Sequence, residues 1–247
     1  FSANINPLGP SQRGLDALNA QLRYISHYPD ATNDDVLNAI ADTYEMDKYQ
    51  IIVGNGAAEL LYAICRLPGY TGAFVPAPGF SEYKEALEAS KLPVRDIFYR
   101  PREDDNGLPY FEVPYLALET FAAELKGQDG RIIVFLGNPN NPDGTLLDKD
   151  HIRTVASMLK DANSLLVIDE SFIDFVGNDP LQDNEHSMRS LVNEFDNIIV
   201  VHSFTKFYAV PGLRIGAAFA NETLITQLQQ YIPSWSVNTL AQAYTEA

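Results

Sequence analysis

The chain has 247 residues with 46% hydrophobic and 11% aromatic content, enough apolar surface for a large core and too much for a disordered polymer. Its formal net charge of −16, with no stripe of Lys or Arg, excludes a nucleic-acid partner, because a phosphate backbone needs a basic surface. Four scattered histidines and a lone Cys65 give neither a disulfide framework nor a metal site, and suit a reducing cytoplasm. No apolar run approaches the ~20 residues of a membrane span, and no signal-like segment opens the chain.

In chain order, residues 1–31 are read as an N-terminal arm. An amphipathic helix is expected where Val36, Leu37, Ile40, Ala41 and Tyr44 share one face. The stretch IIVGNGAAELLYAI, residues 51–64, reads as a small-residue turn opening a second helix, with Leu60, Leu61 and Ile64 inward and Cys65 in the core. Backbone N–H groups at such a helix start suit a phosphate. Gly54-Asn55-Gly56 lacks the third glycine of a dinucleotide fingerprint, so by itself it reads as a plain turn or as a phosphate cradle.

Apolar β-runs follow at residues 72–76, 94–99, 131–136, 164–168 and 197–202. Between the third and fourth, Ile152, Val155, Ala156 and Leu159 mark a helix that Asp148 or Asp150 could cap. The acidic clusters at Asp34-Asp35 and Glu103-Asp104-Asp105 read as solvated surface. Runs such as IIVFL and SLLVID do not alternate, as expected of strands covered on both faces. The fold class is therefore α/β, a three-layer αβα arrangement around a mostly parallel central sheet. Residues 32–220 are expected to form one large domain, and residues 221–247 the start of a connection to a C-terminal small domain that the chain lacks. The start at Phe1 and the stop inside the helical-looking stretch 239–247 lead us to expect a piece of a longer protein.

In open α/β sheets ligands sit beyond the carboxyl ends of the strands, and the polar motifs of this chain lie there. After the third run comes GNPNNPDG, whose three asparagines and two prolines shape an irregular backbone and aim amide side chains. After the fourth comes Asp169, a carboxylate where the strand leaves the core. After the fifth come Ser203, Thr205 and Lys206, with Arg214 eight residues beyond the lysine. A lysine at a strand end reads as the start of a surface loop or as a reactive amine. The accompanying carboxylate, amide, arginine and phosphate cradle favour the amine.

GNPNNPDG, then VIDES, then SFTK with Arg214 downstream, in this order and at these separations, resembles the class I/II aminotransferase family of pyridoxal-phosphate enzymes. The resemblance covers essentially the whole chain and implies pyridoxal 5'-phosphate as cofactor. By resemblance Lys206 holds the cofactor as a Schiff base and later shuttles a proton. Asp169 faces the pyridine nitrogen, and Asn141 donates to the ring oxygen O3'. The phosphate falls to Ser203, Thr205, Arg214 and the amides of Gly56, Ala57 and Ala58. Phe80 stacks on the ring, and Tyr28 reaches the phosphate of the neighbouring subunit in a homodimer. The residue types suit these roles, since a carboxylate opposite the ring nitrogen favours its protonated form and an arginine offers phosphate a bidentate fork.

Two branches of the family act on small phosphorylated amino compounds, the histidinol-phosphate aminotransferases and the threonine-phosphate decarboxylases of cobalamin synthesis. The opening FSANINPLGP and the segment Trp235-Ser236-Val237-Asn238 followed by Leu240-Ala241-Gln242 are similar to the decarboxylase branch. Phe172 points the same way, standing where most aminotransferases carry a tyrosine that donates to O3'. The expected reaction is decarboxylation of O-phospho-L-threonine to aminopropanol phosphate. The histidinol-phosphate aminotransferase is the alternative, and a non-catalytic aminotransferase-like sensor is a third reading. The family's arginine for the substrate carboxylate is expected beyond Ala247.

Overall fold

The computed structural model describes residues 4–127, 130–177 and 185–247. Two helices, α1 (Gln12–Gln21) and α2 (Asp34–Tyr44), precede the first strand, β1 (Ile51–Gly54), which turns directly into α3 (Gly56–Ile64). Then come β2 (Tyr70–Ala77), α4 (Glu82–Ala89) and β3 (Val94–Phe98). An exposed hairpin follows, β4 (Arg100–Glu103) and β5 (Pro109–Glu112). The α/β alternation resumes with α5 (Tyr115–Leu125), β6 (Arg131–Gly137), α6 (Lys149–Asp161), β7 (Leu165–Asp169) and β8 (Ile198–Ser203). The last elements are the one-turn helix α7 (Phe204–Phe207), β9 (Gly216–Ala220), α8 (Glu222–Gln229) and α9 (Thr239–Glu246).

Seven strands form one sheet in the order β1-β9-β8-β7-β6-β2-β3. From β8 to β3 every pairing is parallel, whereas β9 runs against both of its neighbours. The five strands expected from apolar runs are present. Strands β1 and β9 are not evident in the sequence, because four residues in one case and the alanine-rich GAAFA in the other carry little β signal.

Successive side chains of a strand point to opposite faces, and the core divides accordingly. Ile132, Val134, Leu136, Leu166, Ile168, Ile198 and Val200 face one way and meet α2, α5 and α6. Ile133, Phe135, Leu165, Val167, Ile199 and Val201 face the other and meet α3, α4 and α8. This is the three-layer arrangement, and it explains the unbroken apolar runs: each strand has no face left for water. Burying a Leu, Ile, Val or Phe side chain contributes roughly 1.5–3 kcal/mol, and the central strands bury such side chains on both faces.

The helices begin where side chains satisfy free N–H groups. Of the two aspartates considered for α6, Asp148 is the cap, accepting from Asp150 N at 3.1 Å and His151 N at 2.9 Å. Asn221 and Asn238 cap α8 and α9. The N-terminal arm docks on the end of the chain. Gly14 lies against the Tyr244 ring, and Tyr244 Oη accepts from Ser11 N at 3.1 Å. Gln242 ties down residues 30–33 through Asp30 O at 2.7 Å and Asn33 Oδ1 at 2.8 Å. Among the described residues no helix is long and apolar enough to cross a membrane.

Cys65 closes α3 inside the core, where burial pushes its thiol up to about 12. Since the thiolate is the reactive form, the native protein is expected to resist iodoacetamide at neutral pH and to take up one equivalent on denaturation. Mass spectrometry before and after unfolding checks this.

Candidate active site

A cavity of about 150 Å³ opens at the carboxyl edge of the parallel strands, and each wall comes from a different strand end. The loop after β6 contributes Pro139 and Asn141; β7 contributes Asp169, Ser171 and Phe172. Ser203 ends β8, and α7 presents Thr205 and Lys206. Ala57 and Ala58 come from the first turn of α3, Phe80 from the β2–α4 connection, Tyr83 from the first turn of α4, and Arg214 from the approach to β9. Leu61 of α3 and Asn4 of the arm complete the lining.

Lys206 is half-buried and, among the described residues, makes no ion pair. Its helix is held from two sides. Asn6 of the arm donates from its backbone N to Lys206 O at 3.0 Å and from its side chain to Phe207 O at 2.9 Å. Ser203 caps the helix at its start, and its hydroxyl lies 2.7 Å from that of Thr205.

Asp169 is 6% exposed. Its Oδ1 accepts from Ser171 N at 2.9 Å and Ser171 Oγ at 2.6 Å, and its Oδ2 from Tyr83 Oη at 2.9 Å. Burial, and after it the Asp169 charge, raises the Tyr83 phenol well above its ordinary range, so it remains a donor.

The opposite end of the cavity is cationic and rich in N–H groups. The Arg214 guanidinium lies over Gly56: a Cβ built there would stand 2.3 Å from Arg214 Nη2. A Cβ on Gly216 would stand 2.6 Å from Ala57 N. Only glycines leave room for an arginine to close over the start of α3, whose first N–H groups lack helical partners. Gly56 (φ 82°) and Arg214 (φ 59°) both occupy the left-handed region, which a glycine adopts freely and which for Arg214 is strain of the kind that accompanies binding sites. A phosphate fits this combination of helix start, hydroxyls and guanidinium.

Ala57, Ala58, Phe80, Asn141, Asp169, Ser203, Thr205, Lys206 and Arg214 therefore meet at one cavity. Gly56 stands behind it as the space for Arg214. Tyr28 is not brought there within this chain: it is 80% exposed and packs on Trp235 with ring centroids 4.8 Å apart. Tyr83, Ser171 and Asn4 were missed by sequence reasoning. Ser171 had a signal, since a hydroxyl two residues after an aspartate commonly bonds back to it. Tyr83 had none, because its contact spans 86 positions.

The structure also separates residues that look alike in the sequence. Asn138 and Asn140 are buried and structural. Asn138 donates to Glu170 Oε1 at 2.9 Å and accepts from Leu147 N at 3.0 Å; Asn140 donates to Pro78 O at 3.0 Å and Asp143 Oδ2 at 2.8 Å. Only Asn141 faces the cavity. Glu170, next to Asp169, points away and accepts from Ser187 Oγ and Met188 N, both at 2.6 Å. His202, next to Ser203, is turned to Asp174 at 3.0 Å.

Comparison with known proteins places the site in context. The family profile described as Aminotransferase class I and II matches residues 1–247. A threonine-phosphate decarboxylase of Salmonella typhimurium is 33% identical over 247 residues, which are 98% of this chain and 62% of that protein. A histidinol-phosphate aminotransferase of Bacillus pumilus is 28% identical over 254 residues, 100% of this chain and 63% of that protein. The crystal structure of the histidinol-phosphate aminotransferase from Clostridium acetobutylicum has the same fold, with a TM-score of 0.83 at 24% identity, over 99% of this chain and 67% of that one. The chain thus spans 62–63% of the length of these two curated relatives.

Replacing Gly56 tests the anion end. Gly56→Ala is expected to cost roughly 1–2 kcal/mol from its left-handed backbone and, by displacing Arg214, to weaken inorganic phosphate binding at least about tenfold. Denaturant unfolding and phosphate titration calorimetry measure the two effects separately.

Proposed function

The chain belongs to the aminotransferase class I and II family, and from that membership we propose a cytoplasmic, homodimeric pyridoxal-phosphate enzyme that decarboxylates O-phospho-L-threonine to aminopropanol phosphate. The observation that carries the cofactor reading is the convergence of Lys206, Asp169, Asn141 and Arg214 on one cavity. Three features favour decarboxylation over transamination. The decarboxylase relative is more similar than the aminotransferase, 33% against 28%. Phe172 lines the cavity where the aminotransferase pattern has a hydroxyl donor. The decarboxylase-like WSVN segment packs on the site's supports, with Ser236 bonded to Glu59 of α3 and Asn238 donating to Leu213 O at 2.9 Å, next to Arg214.

When bound, pyridoxal phosphate supplies an electron sink for the pair released when a bond to the substrate's Cα breaks. The chain's part is to hold, orient and move protons. Arg214, Ser203, Thr205 and the amides of Gly56, Ala57 and Ala58 would hold the phosphate. Asp169 would set its carboxylate against the ring nitrogen and help it keep its proton. Asn141 would donate to the ring oxygen, and Phe80 would cover one ring face. Lys206 Nζ would provide the covalent attachment and serve as the proton carrier at Cα. In the net reaction the Cα–carboxylate bond breaks, CO₂ leaves without the bonding pair, and a proton from Lys206 takes its place. Tyr28, exposed beside Trp235, is assigned to the phosphate of the partner subunit.

With pyridoxal phosphate added, the protein is expected to turn yellow and, on borohydride treatment, to carry a cofactor-mass adduct on Lys206, whereas Lys206→Ala carries none. A colourless protein that takes up no cofactor sinks the proposal. O-phospho-L-threonine is expected to release CO₂. Consumption of 2-oxoglutarate with histidinol phosphate, and no CO₂, establishes the aminotransferase instead, and cofactor binding with neither reaction points to the sensor.

A further inference from the structure

We propose that Tyr83 and Ser171 are positioning residues that lock the Asp169 carboxylate in the single orientation from which it serves the cofactor's ring nitrogen. The inference rests on the pyridoxal-phosphate reading above and assigns roles to two residues to which the motifs themselves gave none. A carboxylate offers about four acceptor sites. Three are taken: two on Oδ1 by the N–H and hydroxyl of Ser171, and one on Oδ2 by the Tyr83 hydroxyl at 2.9 Å. The site left over is on Oδ2. Asp169 is buried except where it lines the cavity, so that acceptor is the one available to a ligand N–H.

The two donors come from different directions, which is what prevents rotation of the carboxylate. Ser171 follows Asp169 on the same strand exit, and its backbone N–H cannot move without the loop. Tyr83 reaches across from α4 and is 1% exposed. Its ring is stacked on Phe135 of β6 at 5.3 Å and meets Phe80 edge-on at 5.7 Å. Packing thus fixes the phenol before any ligand arrives, as preorganisation requires. The Phe80 contact adds a second link, because the ring assigned to cover the cofactor face leans on the ring that holds the carboxylate.

Tyr83→Phe keeps the stacked ring and removes only the hydroxyl, so it separates positioning from packing; Ser171→Ala is a second, independent variant at a half-buried position. Each is titrated with pyridoxal phosphate and with its 1-deaza analogue, which has a carbon in place of the ring nitrogen. If the donors act through Asp169, each variant weakens pyridoxal phosphate about tenfold and leaves the deaza analogue within about twofold of wild type. Equal losses for both ligands, or no loss for either, overturn the inference while the cofactor reading stands. A wild type that binds neither ligand overturns the cofactor reading itself, and one that does not prefer the ring nitrogen overturns the role given to Asp169 and with it that of Tyr83 and Ser171.

Discussion

Parallel pairing of β6, β7 and β8 is the constraint on which the site depends. The register places Gly137 beside Asp169 and Asp169 beside Val201, so β6 and β7 end level and β8 runs two residues further, to Ser203. With adjacent strands about 4.8 Å apart, groups that leave the sheet at its carboxyl edge are neighbours whatever their distance in sequence. That is how Asn141, Asp169 and Lys206 come to share one small cavity. The reversed strand β9 serves the same edge from the other side, since Arg214 is delivered at its start.

The two-residue alternation of a strand then decides which polar residue faces the ligand and which is buried as support. Asp169 and Ser203 face the cavity, while their neighbours Glu170 and His202 do not. Burying a charge is costly unless it is paired and hydrogen-bonded, and Glu170 meets that condition. Glu170 collects Asn138, Ser187 and Met188 N, and His202 lies against Asp174. Arg189 sits over the Tyr44 ring at 4.1 Å. Removing one member of such a set is more damaging than the net worth of the pair, because the other is left buried and uncompensated. The reactive wall is thus backed by a second polar layer that anchors the loops after β6 and β7.

The fold was largely legible in the sequence where burial is two-sided. Runs such as IIVFL and SLLVID signal central strands because no residue in them is spared for water, and the spacing of Ile152, Val155, Ala156 and Leu159 marks a helix. The strands β1 and β9 were not legible, since short or alanine-rich segments become strands only because their neighbours pair with them. Within the site, the residues in ordered motifs were legible. Tyr83 was not, and neither was the division of GNPNNPDG into two structural asparagines and one that faces the cavity.

By itself, then, the sequence determined the class of fold and the set of chemical groups, because hydrophobic periodicity and motif order are local properties of the chain. Which groups meet, which of two adjacent carboxylates faces the ligand, and what holds that carboxylate still were decided only in the tertiary structure. The physical reason is that strand register and side-chain direction are settled by packing and pairing between segments tens of residues apart.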